Sequence, residues 1–366
     1  MKIAISSLSD ISMDEGTSLR AKRVFELLQE KYDCTLIIRG KHDSKSDNVE
    51  VIRPSKLWNF QLIPVVLKNR FDVVYCSNDY WGFFSYIALA KLLPYKIIFE
   101  AHGILSLERE LSLLHHPTNN VRIKILKWRE KFVIKHADCV VALAQDTYSY
   151  YSGLNKCIFI VDNFIDEKQF KPQKSPHERV SDDKERRNVG LIGPFVQNNI
   201  NNYFLDFVYQ NIDRFNARIK FIVIGQCDHK ITHERVSYTG YLNDFQDYVD
   251  QLTHLDAVLV PARFSSFGAL TKVLEAMACS VPVFTTPAGL VSFDHVTPDE
   301  DILICDESEL VATVNESLFD SELMERIGKN ARRTIEKHYG IEVNKGKLLA
   351  VIEQLSSHYD AHSTGN

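Results

Sequence analysis

At 366 residues, with 45% hydrophobic and 25% charged side chains, the chain is long for one core and suits two globular domains of about 150 to 200 residues. Its net charge of −5 argues against general nucleic-acid binding. Seven cysteines, scattered singly at 34, 76, 139, 157, 227, 279 and 305, argue against a disulfide framework or zinc ribbon and fit a reducing cytosol, so a cytoplasmic protein is expected.

Met1 to Asp10 lacks a charged segment followed by a long apolar core, so no secretion signal is expected there. Strand and helix signals then alternate: strand Lys2 to Ser6, helix Ser18 to Glu30, strands Thr35 to Ile38 and Val73 to Cys76, helix Phe83 to Leu93, strand Lys96 to Glu100. Trp81 to Phe99 has the length of a membrane span, but Lys91, Pro94 and Lys96 interrupt it, and a helix, a break and a strand fit better. Helix Val121 to His136 and strands Cys139 to Leu143 and Cys157 to Val161 complete a βαβ series, hence a parallel sheet.

The polar, charged stretch from Glu167 to Arg187 reads as a linker. Beyond it the alternation restarts with strand Val189 to Ile192, a helix around Tyr203 to Gln210, and strands Lys220 to Ile224 and Val236 to Thr239. Strand Leu255 to Val260, helix Leu270 to Cys279 and strand Val281 to Phe284 follow. Helices Glu307 to Leu318 and Glu322 to His338 come next, Gly340 is expected to cap the second, and an amphipathic helix, Val343 to Leu355, precedes a frayed polar tail. The expected division is a Rossmann-like domain over 1–166, a linker over 167–187, a second Rossmann-like domain over 188–340, and a terminal helix and tail over 341–366. The fold class is α/β, two doubly wound domains facing a central cleft. Neither domain has G-x-G-x-x-G after its first strand, which speaks against a dehydrogenase.

The most informative stretch is Pro261 to Ala278. Leu255 to Val260 is a buried parallel strand that Pro261 stops, and Gly268 is expected to open a helix whose free N–H groups face the crevice where open α/β sheets bind phosphates. Arg263 and Lys272 add positive charge there. Glu275 follows Lys272 by about one turn on nearly the same face, and its carboxylate suits ribose hydroxyls rather than phosphate. It also leads into the apolar Ala276, Met277, Ala278 and Cys279, where a charge needs a partner.

This pattern, P-x-R-F and then G-x-x-x-K-x-L-E-A-M-A before Val281-Pro282-Val283, resembles the donor-binding signature of retaining glycosyltransferases of family 4, which have the two-domain GT-B fold. Asp162 to Asp166 with Phe170 and Pro172, the turn Tyr238 to Leu242, and Thr285, Thr286 and Gly289 resemble further family segments, so the likeness spans nearly the whole chain. It implies that Arg263, Lys272 and the helix start at Gly268 hold the donor diphosphate, Glu275 the ribose, and Tyr238, Tyr241 and Leu242 the base. His102 corresponds to a family histidine beside the donor sugar, and it is the expected catalytic residue. Gly16 and Thr17, with Ser266 and Phe267, correspond to loops near donor and acceptor. Ser265-Ser266-Phe267 stand where the family usually has another glutamate, and Gly193-Pro194-Phe195 replaces its G-R-L.

The implied reaction moves a sugar from a nucleotide diphosphate, UDP- or GDP-linked, to an acceptor hydroxyl with retention at the anomeric carbon. It needs no cofactor or metal, the nucleotide sugar being a substrate. The acceptor is expected to be a glycan or a lipid-linked molecule. Glu100 reads as structural, at the end of a buried strand. In Val121 to His136 the apolar Val121, Ile125, Trp128 and Phe132 recur at helical spacing among six basic residues. Such a helix either packs its apolar stripe on the sheet or lies peripherally on the inner face of an anionic membrane. A sugar-nucleotide epimerase of the same fold and a non-catalytic nucleotide-sugar binder are the competing functions.

Overall fold

The computed structural model describes residues 1–7, 16–39, 48–52, 60–112, 120–172, 186–196, 199, 201–263 and 270–363. The chain forms two compact units, one of Met1–Asn163 with Asn344–Asn366, the other of Phe164–Val343.

The first unit is built on β1 (Lys2–Ser7), β2 (Asp33–Arg39), β3 (Val49–Ile52), β4 (Val73–Ser77), β5 (Lys96–Ala101), β6 (Cys139–Ala142) and β7 (Ile158–Ile160). All pairings are parallel, in the order β3-β2-β1-β4-β5-β6-β7. Its helices are α1 (Gly16–Leu28), α2 (Leu62–Asn69), α3 (Tyr80–Leu89), α4 (Leu105–Ser112), α5 (Asn120–His136) and α6 (Gln145–Tyr151). Strands β4 and β6 are buried along their whole length, as a sheet covered on both faces requires. Asp79 starts α3: its carboxylate accepts from Gly82 N at 2.7 Å and from Ser6 Oγ at 2.8 Å. A Cβ at Gly82 would meet that carboxylate at 2.0 Å, so the cap requires glycine there.

The second unit carries β8 (Arg187–Ile192), β9 (Ile219–Ile224), β10 (Val236–Gly240), β11 (Ala257–Val260), β12 (Val283–Thr285) and β13 (Leu303–Ile304), with α7 (Asn202–Asn211), α8 (Phe245–Thr253), α9 (Thr271–Ala278), α10 (Leu310–Ser317) and α11 (Ser321–Thr334). Its sheet, β10-β9-β8-β11-β12-β13, is again wholly parallel. The last helix, α12 (Ile341–Ser363), begins in the second unit and from Asn344 belongs to the first. There Leu348, Val351 and Ile352 are buried, and Lys345 and Lys347 pair with Glu30 and Asp162, both at 2.5 Å.

Several expectations need correction. β3, α2, α4, α6, α8 and β13 had no signal strong enough to read. Val49–Ile52 is four residues at the end of a polar run, and Phe245–Thr253 buries only Val249, Leu252 and Thr253 while its Phe245 is exposed, its start fixed by Asp244 accepting from Gln246 N and Asp247 N. Gly340 is no left-handed cap: with φ −69° and ψ 154° it is extended, bridges Ile165, and leads straight into α12. The helix before it ends instead in a π-helical turn, Ile335–Tyr339. The tail is helical as far as Ser363. Most of the expected linker lies outside the described residues. No helix among those residues is long and apolar enough to cross a membrane.

Candidate functional site

In the second unit the strand order reverses between β8 and β11, because the chain goes from β8 to β9 on one side and returns at β11 on the other. The carboxyl ends of these two strands are where an open parallel sheet leaves a crevice. β11 ends at Val260, followed by Pro261 and Ala262, which are buried, and Arg263, which is exposed. α9 starts at Thr271, later than the expected opening near Gly268. Its N-cap, Leu270, is extended at φ −64°, ψ 114° and offers no side-chain cap, so the first-turn N–H groups have no capping side chain.

Lys272 stands on that first turn. Its Nζ donates to the carbonyl of Ile192, at the end of β8, at 2.7 Å and to Asn201 Oδ1 at 2.8 Å. The ammonium lies 4.9 Å from the centre of the Phe204 ring. Burial pulls the pKa of Lys272 down to about 7, with Glu275 pulling the other way. An ammonium has three donors; the third N–H of Lys272 meets no partner among the described residues. Arg263 lies 5.5 Å over the Tyr203 ring, and the Tyr203 hydroxyl donates to Glu307. Both cations therefore rest on neighbouring aromatic residues at the start of α7. Glu275, one turn beyond Lys272, is 8% exposed, and its Oε2 accepts from the Tyr248 hydroxyl of α8 at 2.5 Å.

Beside this cluster three strand ends present bare backbone. Gly193 N donates to Ile224 O at 3.1 Å, and Gly225 N to Gly240 O at 3.1 Å. Gly225 has φ +114°, and a Cβ there would meet the Gly193 carbonyl at 1.9 Å, so no other residue fits without displacing the end of β8. In the turn expected to hold the base, Tyr238 Oη accepts from Ile231 N at 2.9 Å and lies 2.8 Å from Tyr209 Oη, which commits its ring to bracing the loop before β10. Tyr241 is exposed, and Leu242 packs partly on the core.

The first unit holds the other expected residues. Gly16 and Thr17 open α1. Glu100 and His102 lie at the carboxyl end of β5 and just beyond it. Sheet register sets Ser77 of β4 directly beside Glu100. Two residues back on β4, Tyr75 presents to the same face. Glu100 is fully buried and accepts from Arg20 Nε at 3.1 Å and Nη2 at 3.0 Å, from the Tyr75 hydroxyl at 2.5 Å, from Ser77 Oγ at 2.9 Å and from His102 Nε2 at 2.7 Å. Burial would raise the Glu100 carboxyl, but the Arg20 guanidinium and the hydrogen bonds from His102 and Tyr75 outweigh it and hold it well below the ordinary carboxylate range.

Arg263, Lys272 and Glu275 thus lie at one switch point, with Asn201, Tyr203 and Tyr248 as partners that sequence reasoning missed. Ser266, Phe267 and Gly268 lie outside the described residues. Tyr248 had no readable signal, because its helix was not foreseen. The Glu-x-His spacing of Glu100 and His102 was a usable hint for the buried cluster.

α5 also departs from its simpler reading. Its packed face is Glu130, Val133 and Ile134, with Glu130 accepting from Ser106 N at 2.9 Å, whereas Val121, Ile125 and Trp128 are 68%, 57% and 60% exposed. Of the stripe, Val121, Ile125 and Trp128 are therefore turned outward, whereas Phe132 is half-buried with its ring 5.2 Å from that of Phe84 on α3.

Residues 26–169 match the family described as Glycosyltransferase Family 4, and residues 186–320 the family described as Glycosyl transferases group 1. Sucrose-phosphate synthase from Thermosynechococcus elongatus superposes with a TM-score of 0.79 at 16% identity, covering 98% of this chain and 99% of that one. Anabaena HepE in complex with UDP and glucose gives 0.71 at 16% identity, covering 98% and 100%. The apo form of the lipopolysaccharide outer core galactosyltransferase WaaB gives 0.68 at 14%, covering 97% and 99%. No curated protein matches the sequence. The two parallel-sheet units are those of the GT-B fold, and the protein is an enzyme of the glycosyltransferase class. More narrowly, it carries a family 4 domain followed by a group 1 domain within the GT-B glycosyltransferases.

Proposed function

We propose that the protein is a retaining glycosyltransferase that moves a sugar from a UDP- or GDP-linked donor to an acceptor hydroxyl in polysaccharide or glycolipid assembly. The observation that carries this reading is the placement of Lys272 and Glu275 one turn apart on α9, over the carboxyl ends of β8 and β11, with Arg263 beside them. Lys272 has an unused N–H and Arg263 an exposed guanidinium for a diphosphate. Negative charge grows on the leaving diphosphate, so these cations and the uncapped start of α9 stabilise the transition state more than the ground state. Glu275, oriented by Tyr248, accepts from ribose hydroxyls. The backbone from Tyr238 to Leu242 lines the base, and His102 meets the transferred sugar. Attack on the face the diphosphate leaves, assisted by the departing phosphate, needs no protein nucleophile and retains the anomeric configuration. HepE, solved with UDP-glucose, lends support to a nucleotide-sugar donor.

The outward Val121, Ile125 and Trp128, interleaved with exposed Arg122, Lys124, Lys131 and Lys135, favour a peripheral membrane contact at the cytoplasmic face, bringing the site to a lipid-linked acceptor.

A thermal-shift screen of UDP- and GDP-linked hexoses, followed by assays of donor hydrolysis and transfer, tests the function, since a bound donor raises the melting temperature. Lys272→Ala and Glu275→Ala should abolish both activities while the fold persists. Full activity in both variants would refute the site.

A further inference from the structure

The Glu100 cluster contains more hydrogen bonding than burial of a carboxylate demands. Arg20, Tyr75 and Ser77 already supply four donors, and Arg20 supplies the compensating charge. Arg20 is itself fixed, with Nη1 donating to Asp162 O at 3.0 Å. His102 adds a further bond from the edge of the cluster, where its side chain is 15% exposed and that of Glu100 is fully buried. Both contacts of the imidazole, 2.7 Å to Glu100 Oε1 and 3.1 Å to Ser77 Oγ, are made by Nε2. Nδ1 meets no partner among the described residues.

An ionised carboxylate only accepts. The nitrogen facing Glu100 must therefore carry the proton, and the other is left with a lone pair whenever the ring is neutral. We propose that Glu100, backed by Arg20, is the positioning residue for His102: it locks the ring as the Nε2–H tautomer so that Nδ1 presents a lone pair to a hydroxyl of the bound sugar. The part concerning the sugar rests on the function proposed above. The tautomer stands on the cluster alone.

Nitrogen-15 NMR of the histidine-labelled full chain, with His102 assigned by its loss in His102→Ala, reads the tautomer directly. Followed across a pH titration, the neutral ring of the wild type should carry its proton on Nε2 and leave Nδ1 bare. In Glu100→Gln, Arg20 and Tyr75 keep the carbonyl oxygen on their side, so the amide nitrogen takes the place of Oε1 and the tautomer inverts. A neutral wild-type ring protonated at Nδ1 overturns the proposal. So does a Glu100→Gln spectrum identical to wild type. If Glu100→Gln fails to fold, Glu100→Asp keeps a charge for Arg20 but withdraws the oxygen from His102. It should then give a mixture of tautomers, and an unmixed spectrum counts against the proposal.

Hydrolysis of the UDP- or GDP-hexose selected by thermal shift tests the sugar contact. Glu100→Gln should lower kcat about ten- to hundred-fold, with the affinity for UDP or GDP unchanged by calorimetry. His102→Ala retaining full kcat would remove the sugar contact while leaving the tautomer result standing, so the two failures are distinguishable.

Discussion

Tyr248 donates its phenolic hydrogen to Oε2 of Glu275 at 2.5 Å, joining α8 to α9 through a carboxylate that is almost entirely buried. The bond occupies one lone pair of Glu275 and ties its carboxylate to α8. Tyr248→Phe should therefore weaken nucleotide binding about ten- to hundredfold, the range for one hydrogen bond to a charged group. Calorimetric titration with UDP and GDP checks this, and unchanged affinity would place Glu275 outside the ribose site.

Because the pKa of Lys272 is pulled down to about 7, its charge is present below that pH and fades above it. A bound diphosphate favours the charged form, so affinity for a nucleotide sugar, whose diphosphate has no ionisation near neutrality, should fall as pH rises from about 7 to 9. Titrations across that window should show the decline in wild type and a flat, weaker profile in Lys272→Met.

Asp79 is 1% exposed and serves both the start of α3 and Ser6 of β1. Asp79→Ala removes the cap and leaves Ser6 Oγ and Gly82 N without that acceptor, which should cost about 2 kcal/mol. Urea unfolding reads the loss. A shift of the midpoint at constant slope is the expected form.

The membrane contact predicts flotation with vesicles containing anionic lipid at low ionic strength and release as salt is raised. Replacing Val121 and Ile125 with Ser should weaken flotation and leave the melting temperature unchanged, because these side chains are exposed, whereas Trp128 also stacks on Phe84. Absence of wild-type flotation on anionic vesicles at low salt would remove the contact.

The cluster at the end of β11 was legible because strand, loop and helix follow one another within Leu255 to Ala278, so their spacing alone places Arg263, Lys272 and Glu275 at one strand end. The Glu100 cluster was not. It needs the β4–β5 register, which brings together Ser77 and Glu100, 23 residues apart, and an arginine 80 residues away on α1. Glu100 was readable as buried, and its spacing from His102 hinted at the pair, but nothing pointed to Arg20, Tyr75 and Ser77 around it. The outward face of α5 was hidden for a related reason. Periodicity shows that Val121, Ile125 and Trp128 share a side, and only the tertiary packing of Glu130, Val133 and Ile134 decides which side faces the protein.

The return of α12 to the first unit carries a consequence for how the molecule is made. Phe164–Val343 is one uninterrupted segment, whereas the first unit is complete only when Asn344 and the residues after it are available. During synthesis the second unit has all of its sequence before the first does, reversing the usual order in which the N-terminal domain finishes first. Until then the partners of Lys345 and Lys347, Glu30 and Asp162, are without those contacts, and the surface that will cover Leu348, Val351 and Ile352 is bare.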